Sequence, residues 1–106
     1  MRILQDIDVD QAHALRDREA IFIDVREPYE LEALRIPGAL SSPLSELARG
    51  AAIDAPADRP KIFFCGSGPR TQRNAAALAS LVEGDAYYLA GGIMAWRAAG
   101  YPTEQG

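Results

Sequence analysis

Three short apolar runs, each followed by a glycine- or proline-marked turn and then a stretch of helical periodicity, constrain this chain more than any other feature. AIFIDV at 20–25, KIFF at 61–64 and AYYL at 86–89 are too short for helices and carry apolar residues at successive positions. Runs of this kind are buried strands of a parallel sheet, because a strand covered on both sides has no polar face to alternate with. Parallel neighbours require crossover connections, and the intervening segments supply them as helices.

Asp8 followed by Gln11 forms a capping pair, and Val9, Ala12 and Leu15 recur at helical spacing, so residues 9–18 read as a helix with a short edge strand before it. Pro28 suits the first turn of a short helix through Leu34, which Pro37 and Gly38 stop ahead of a brief strand at Ala39–Leu40. Ser42 and Pro43 open another helix, and residues 51–60 read as an exposed connection. Thr71 to Val82 is predicted as one helix with Ala75, Leu78 and Leu81 on one face, ended by Gly84. Gly91 and Gly92 make a turn before a last helix over Ile93–Ala99. The expected class is α/β, a small three-layer fold with a mostly parallel sheet and helices on both faces.

At 106 residues one hydrophobic core suffices, and residues 1–106 read as a single domain. A net charge of -4 provides no basic surface for a phosphate backbone, so no nucleic-acid partner is expected. The apolar stretches fall well short of the ~20 residues that span a bilayer, and MRILQDIDVD holds no hydrophobic signal core. A cytoplasmic protein without a membrane partner is therefore expected. One cysteine excludes an internal disulfide and, with His13 as the lone histidine, leaves no metal-ligand cluster.

Cys65 ends the second apolar strand and opens the turn CGSGPRT. Ligands of open α/β sheets bind at the carboxyl ends of the strands. Gly66 and Gly68 let successive N–H groups turn inward on the sulfur, with Ser67 and Pro69 completing the turn. Thr71 is expected at or near the N-cap of the following helix, adding a hydroxyl and the positive end of the helix dipole. Arg70 adds a cation suited to an anionic group. These groups lower a thiol pKa and make Cys65 a nucleophile, whereas a cysteine without them is a small hydrophobe. The turn lacks the Gly-Lys-Ser/Thr ending of a phosphate-binding loop and the third glycine of a dinucleotide fingerprint.

Three blocks, IDVREPYELEALRIPGALSSPLSEL, FFCGSGPRT and YLAGGIMAW, resemble the rhodanese family in order and spacing across nearly the whole chain. The resemblance implies a five-stranded parallel sheet, an active-site loop starting at the cysteine, and transfer of sulfane sulfur to a thiophilic acceptor without a cofactor. The family loop Cys-x-x-Gly-x-Arg-Ser matches Cys65, Gly68 and Arg70, with Thr71 in place of the serine, and Gly66 stands where many relatives carry a larger, often basic side chain. The family's usual Gly-His pair is absent, since Leu34, Arg35 and Ile36 precede Pro37. Asp24, Arg26 and Glu30 fall on the Asp-Val-Arg-Glu pattern, where the expectation is a structural role near the site, with Arg26 paired to Glu27 or Glu30. Gly91, Gly92 and Trp96 are expected to pack near the site, His13 to pack against a helix or lie at the surface, and Arg73 and Arg97 to lie on solvated helix faces.

The expected reaction is attack by the Cys65 thiolate on the outer sulfur of thiosulfate or a similar donor, giving a persulfide that cyanide, a small thiol or a protein thiol discharges. Two alternatives stand beside it. One is a protein-to-protein persulfide carrier or noncatalytic interaction module. The other is a phosphatase or arsenate reductase on the same fold, whose relatives have five residues between cysteine and arginine where this chain has the four from Gly66 to Pro69.

Overall fold

The computed structural model describes residues 2–105. Its five strands are β1 (Gln5–Ile7), β2 (Ile21–Asp24), β3 (Leu40–Ser41), β4 (Lys61–Phe64) and β5 (Ala86–Leu89). They form one sheet in the order β1-β5-β4-β2-β3. Every neighbouring pair is parallel, with Phe63 opposite both Ile23 and Tyr88 in the central strand β4. The sheet is thus parallel throughout, and an isolated antiparallel bridge joins Arg35 to Glu104 outside it.

The helices are α1 (Val9–Ala14), α2 (Pro28–Ala33), α3 (Leu44–Ala48), α4 (Pro69–Arg73), α5 (Ala75–Ala79) and α6 (Gly92–Ala98). Two helices depart from the sequence reading by more than a residue. The helix expected over 9–18 is α-helical only to Ala14, then tightens into a 3-10 turn at Leu15–Arg18 and stops where Glu19 enters the left-handed region at φ 58. The helix expected over Thr71–Val82 starts earlier, at Pro69, and breaks at Asn74. There the Asn74 side-chain amide donates to the Arg70 carbonyl at 2.7 Å, a local bond that competes with continuation of the helix.

The side-chain period of two divides the core. Ile23 and Val25 of the β2 segment and Phe63 and Cys65 of the β4 segment join one cluster with Ala75, Leu78 and Ala79 of α5. Phe22, Ile62 and Phe64 point the other way and meet Ala12 of α1 and Ile93 and Trp96 of α6. Both faces of β4 are therefore buried, which is why KIFF reads as continuous apolar sequence. Even Lys61 is buried, its Nζ donating to the Pro56 carbonyl at 2.8 Å and so tying the 51–60 connection to the sheet.

Candidate active site

The chain leaves β4 at Phe64 and turns through Cys65–Gly68 into α4. Val25 N–H donates to the Phe64 carbonyl at 3.1 Å, so β2 and β4 remain in register up to the loop. Gly68 caps α4 with φ 112, a conformation that L side chains rarely adopt, and Pro69 supplies the first helical residue. Thr71, expected at or near the cap, lies in the first turn of α4, with Gly68 as the cap itself. Its hydroxyl donates to the Gly68 carbonyl at 2.9 Å and lies 3.8 Å from Cys65 Sγ. Because α4 runs for only 5 residues, the loop's individual amides, and not a long helix dipole, supply the positive field.

Cys65 is buried, and Gly68 N–H donates to its Sγ at 3.1 Å. Burial pushes the thiol pKa up, but the backbone amides of Thr71, Gly68 and Arg70 together with the Thr71 hydroxyl outweigh it, and the net shift is downward. The loop's fixed dipoles thus favour the thiolate against the burial that opposes it. Ser67 and Pro69 are exposed on the outside of the same turn.

The last helix clamps the loop. Ile93 N–H donates to the Cys65 carbonyl at 2.9 Å and Met94 N–H to the Gly66 carbonyl at 3.0 Å. Gly91 and Gly92 have φ 78 and 61, and Gly92 is buried against the loop backbone. Trp96 lies farther along α6 in the core cluster opposite that of Cys65, stacked edge-on to Phe22 at 5.1 Å, with its indole N–H on the Pro102 carbonyl. Its expected position near the site is corrected accordingly: it anchors α6 from the other side of the sheet.

Asp24 and Arg26 form a buried ion pair at 2.8 Å, 1% and 5% exposed. Asp24 also accepts the Arg26 backbone N–H, and the guanidinium donates to the Leu34 carbonyl at 2.7 Å. Arg26 therefore pairs with Asp24, and not with Glu27 or Glu30 as the sequence suggested. Glu30 has a different partner: its carboxylate grips Arg70 through two bonds, Nη1 to Oε2 at 2.8 Å and Nη2 to Oε1 at 2.9 Å. The Arg70 hydrogen bond is the main cause of a lowered Glu30 pKa, and Glu30 in turn raises that of Arg70. This pairing crosses 40 residues, and nothing in the local pattern of either segment signals it. His13 stacks on Tyr101 at 4.2 Å, while Arg73 and Arg97 are exposed, as expected of all three.

A cavity of ≈ 390 Å³ opens beside Gly66 between α2 and α6, walled by Tyr29, Glu30, Ala33, Ile93 and Met94.

Comparison with known proteins agrees with this architecture. A thiosulfate sulfurtransferase GlpE of Pseudomonas fluorescens is 36% identical over 98 residues, covering 90% of this chain and 85% of that protein. The crystal structure of a rhodanese-related protein from Thermoplasma volcanium superposes with a TM-score of 0.81 at 27% identity, covering 94% of this chain and 97% of the other. A Rhodopseudomonas palustris protein described as a possible tyrosine phosphatase superposes with a TM-score of 0.78 at 26% identity, over 95% and 85% of the two chains. The rhodanese-like domain model matches residues 8–99, which hold strands β2 to β5 and the loop they present, and the chain belongs to that family.

Proposed function

We propose that this chain is a sulfurtransferase in which Cys65 takes a sulfane sulfur from thiosulfate or a similar donor and hands it on from a persulfide. The observation that carries this reading is the Cys65 sulfur held by loop amides, with Gly68 N–H at 3.1 Å, at the carboxyl end of the central strand. The likeness to the Pseudomonas fluorescens thiosulfate sulfurtransferase supports it.

The thiolate attacks the outer sulfur of thiosulfate, a bond forms from Sγ to that sulfur, the donor S–S bond breaks, and sulfite leaves with the electron pair. An acceptor thiolate or cyanide then attacks the outer sulfur of the persulfide and returns Cys65 to its starting state. Amides of Gly68, Arg70 and Thr71 are aimed at the negative charge in both half-reactions. Neither step needs a metal or organic cofactor. With one cysteine in the sequence the discharging thiol comes from another molecule, either a small thiol or a protein.

We read residues 1–106 as one domain working in the cytoplasm, where reducing conditions preserve a free thiol. Among the described residues no helix is long and apolar enough to cross a membrane. The net charge of -4 speaks against a nucleic-acid partner.

The likeness to the Rhodopseudomonas palustris protein raises phosphate-ester hydrolysis as a second reading. The short loop disfavours it: four residues separate Cys65 from Arg70 where the fold's phosphatase relatives have five, and Arg70 is turned onto Glu30.

Intact mass after incubation with thiosulfate tests the proposal. A one-sulfur increment that cyanide removes is expected, and Cys65→Ser, nearly isosteric but far less nucleophilic, is expected to show none while keeping its circular dichroism spectrum. Absence of the increment in the parent protein overturns the reading. Catalytic turnover with cyanide or small thiols separates an enzyme from a carrier loaded and unloaded by proteins.

A further inference from the structure

Arg70 is the one cation in the turn from Cys65 to Thr71, yet its fork is already occupied. Glu30 holds both terminal nitrogens, and the same Glu30 Oε2 accepts the Glu27 backbone N–H at 2.9 Å at the start of α2. The carboxylate is thus fixed from its own helix as well as from Arg70. With side chains only 32% and 21% exposed, this is a partly desolvated bidentate pair and not a loose surface contact. The guanidinium lies across Gly66, where a β-carbon would come within 3.2 Å of Nη2.

Arg26, the other arginine beside the cavity, is closed in the same way by Asp24 and the Leu34 carbonyl. Charges at the mouth therefore cancel pairwise and leave the negative charge of the thiolate itself. A dianion arriving here gains no free cation and is repelled by the nucleophile. The rest of the cavity wall is Tyr29, Ala33, Ile93 and Met94, with Tyr29 74% and Met94 54% exposed and available to an organic group.

We propose that Glu30 is a positioning residue that sets donor selectivity: by occupying the Arg70 fork it disfavours dianionic thiosulfate relative to a persulfide R–S–SH whose R is an uncharged organic chain. This rests on the sulfurtransferase reading above. In the favoured step the Cys65 thiolate bonds to the outer sulfur, the R–S to S bond breaks, R–S⁻ leaves, and the proton stays on the transferred sulfur. The group R belongs either to a small molecule or to a cysteine side chain of a protein, and the same apolar wall serves both.

Single-turnover loading, followed by quench and intact mass, tests this with three donors: thiosulfate, 2-hydroxyethyl persulfide, and an uncharged peptide carrying a persulfidated cysteine. In the parent protein loading from thiosulfate at subsaturating concentration is expected to speed up as inert salt screens the repulsion. Glu30→Gln is expected to lower the half-saturating thiosulfate concentration about fivefold relative to that of either persulfide. Glu30→Asp, which keeps the charge, is expected to retain the parental preference.

The proposal is overturned by thiosulfate loading that slows with salt, by a Glu30→Gln protein with unchanged thiosulfate saturation, or by one that shifts all three donors alike. Should Glu30→Gln not fold, the salt response of the parent protein decides. The persulfide that loads at the lower concentration identifies the source of R, and preference for thiosulfate over both counts against the proposal. Failure to load from any donor strikes the sulfurtransferase reading itself, and so is distinguishable.

Discussion

Gly92 lies against the backbone of Cys65: a β-carbon placed on it would stand 2.5 Å from the Cys65 carbonyl oxygen and 2.5 Å from that of Gly66. No such carbon fits without moving the loop. The close approach lets Ile93 and Met94 donate their N–H groups to those two carbonyls, so the first turn of α6 holds the loop's outward-facing acceptors while its amides turn inward to the sulfur. Glycine here is a requirement of the loop geometry around Cys65.

Gly92→Ala is accordingly expected to destabilise the fold by about 2–4 kcal/mol, combining the strain of a side chain at φ 61 with backbone overpacking. Gly66→Ala is expected to change stability by less than about 1 kcal/mol, because its β-carbon meets only the movable end of Arg70. Urea denaturation of the two variants side by side makes the comparison, and equal losses would contradict it.

Alkylation of Cys65 by iodoacetamide is expected to begin below the pH range of an ordinary thiol, since the loop amides and the Thr71 hydroxyl lower its pKa. Thr71→Val removes that hydroxyl and is expected to move the profile to higher pH. The linked effect on stability has a definite sign: a depressed folded-state pKa stabilises the fold above the unfolded thiol's pKa, and this contribution is lost as pH falls through the folded value. Cys65→Ser should abolish that alkaline contribution in a stability-against-pH series.

Removal of Arg70 should do more than delete a cation, because Arg70→Ala leaves the Glu30 carboxylate without its counter-charge at the cavity beside Gly66. Loading from thiosulfate is expected to fall by roughly tenfold or more, and alkylation of Cys65 to shift to higher pH. Arg70→Lys should recover part of the loss, restoring charge without the bidentate fork. Loading rates for the three proteins provide the check.

Asp24→Ala breaks a buried ion pair and strands the Arg26 charge, so a loss of about 3–5 kcal/mol is expected. Thermal or urea unfolding measures it. A loss under about 1 kcal/mol would mean that water reaches Arg26 in the variant.

How much of this was legible beforehand differs by element. The strands 20–25, 61–64 and 86–89 stand within one or two residues of their expected bounds, because burial on both faces leaves an unbroken apolar record in the sequence itself. The turn after β4 was equally legible as a turn, since Cys65, Gly68, Pro69 and Arg70 are neighbours whose turn and helix-start preferences are local. Asn74 was not: an alanine-rich stretch predicts one helix, and the side-chain bond to the Arg70 carbonyl that accompanies the break depends on a rotamer.

Sequence alone determined the class of fold, the buried strands and the place of the lone cysteine at the end of the central strand, each of which follows from periodicity or from adjacent residues. Tertiary structure decided the rest. It paired Arg26 with Asp24, turned Arg70 onto Glu30 from 40 residues away, set Gly92 against the Cys65 carbonyl and put Trp96 across the sheet from the sulfur. Such contacts depend on which segments the strand order β1-β5-β4-β2-β3 brings together, and no local propensity encodes a distance between residues that the chain separates.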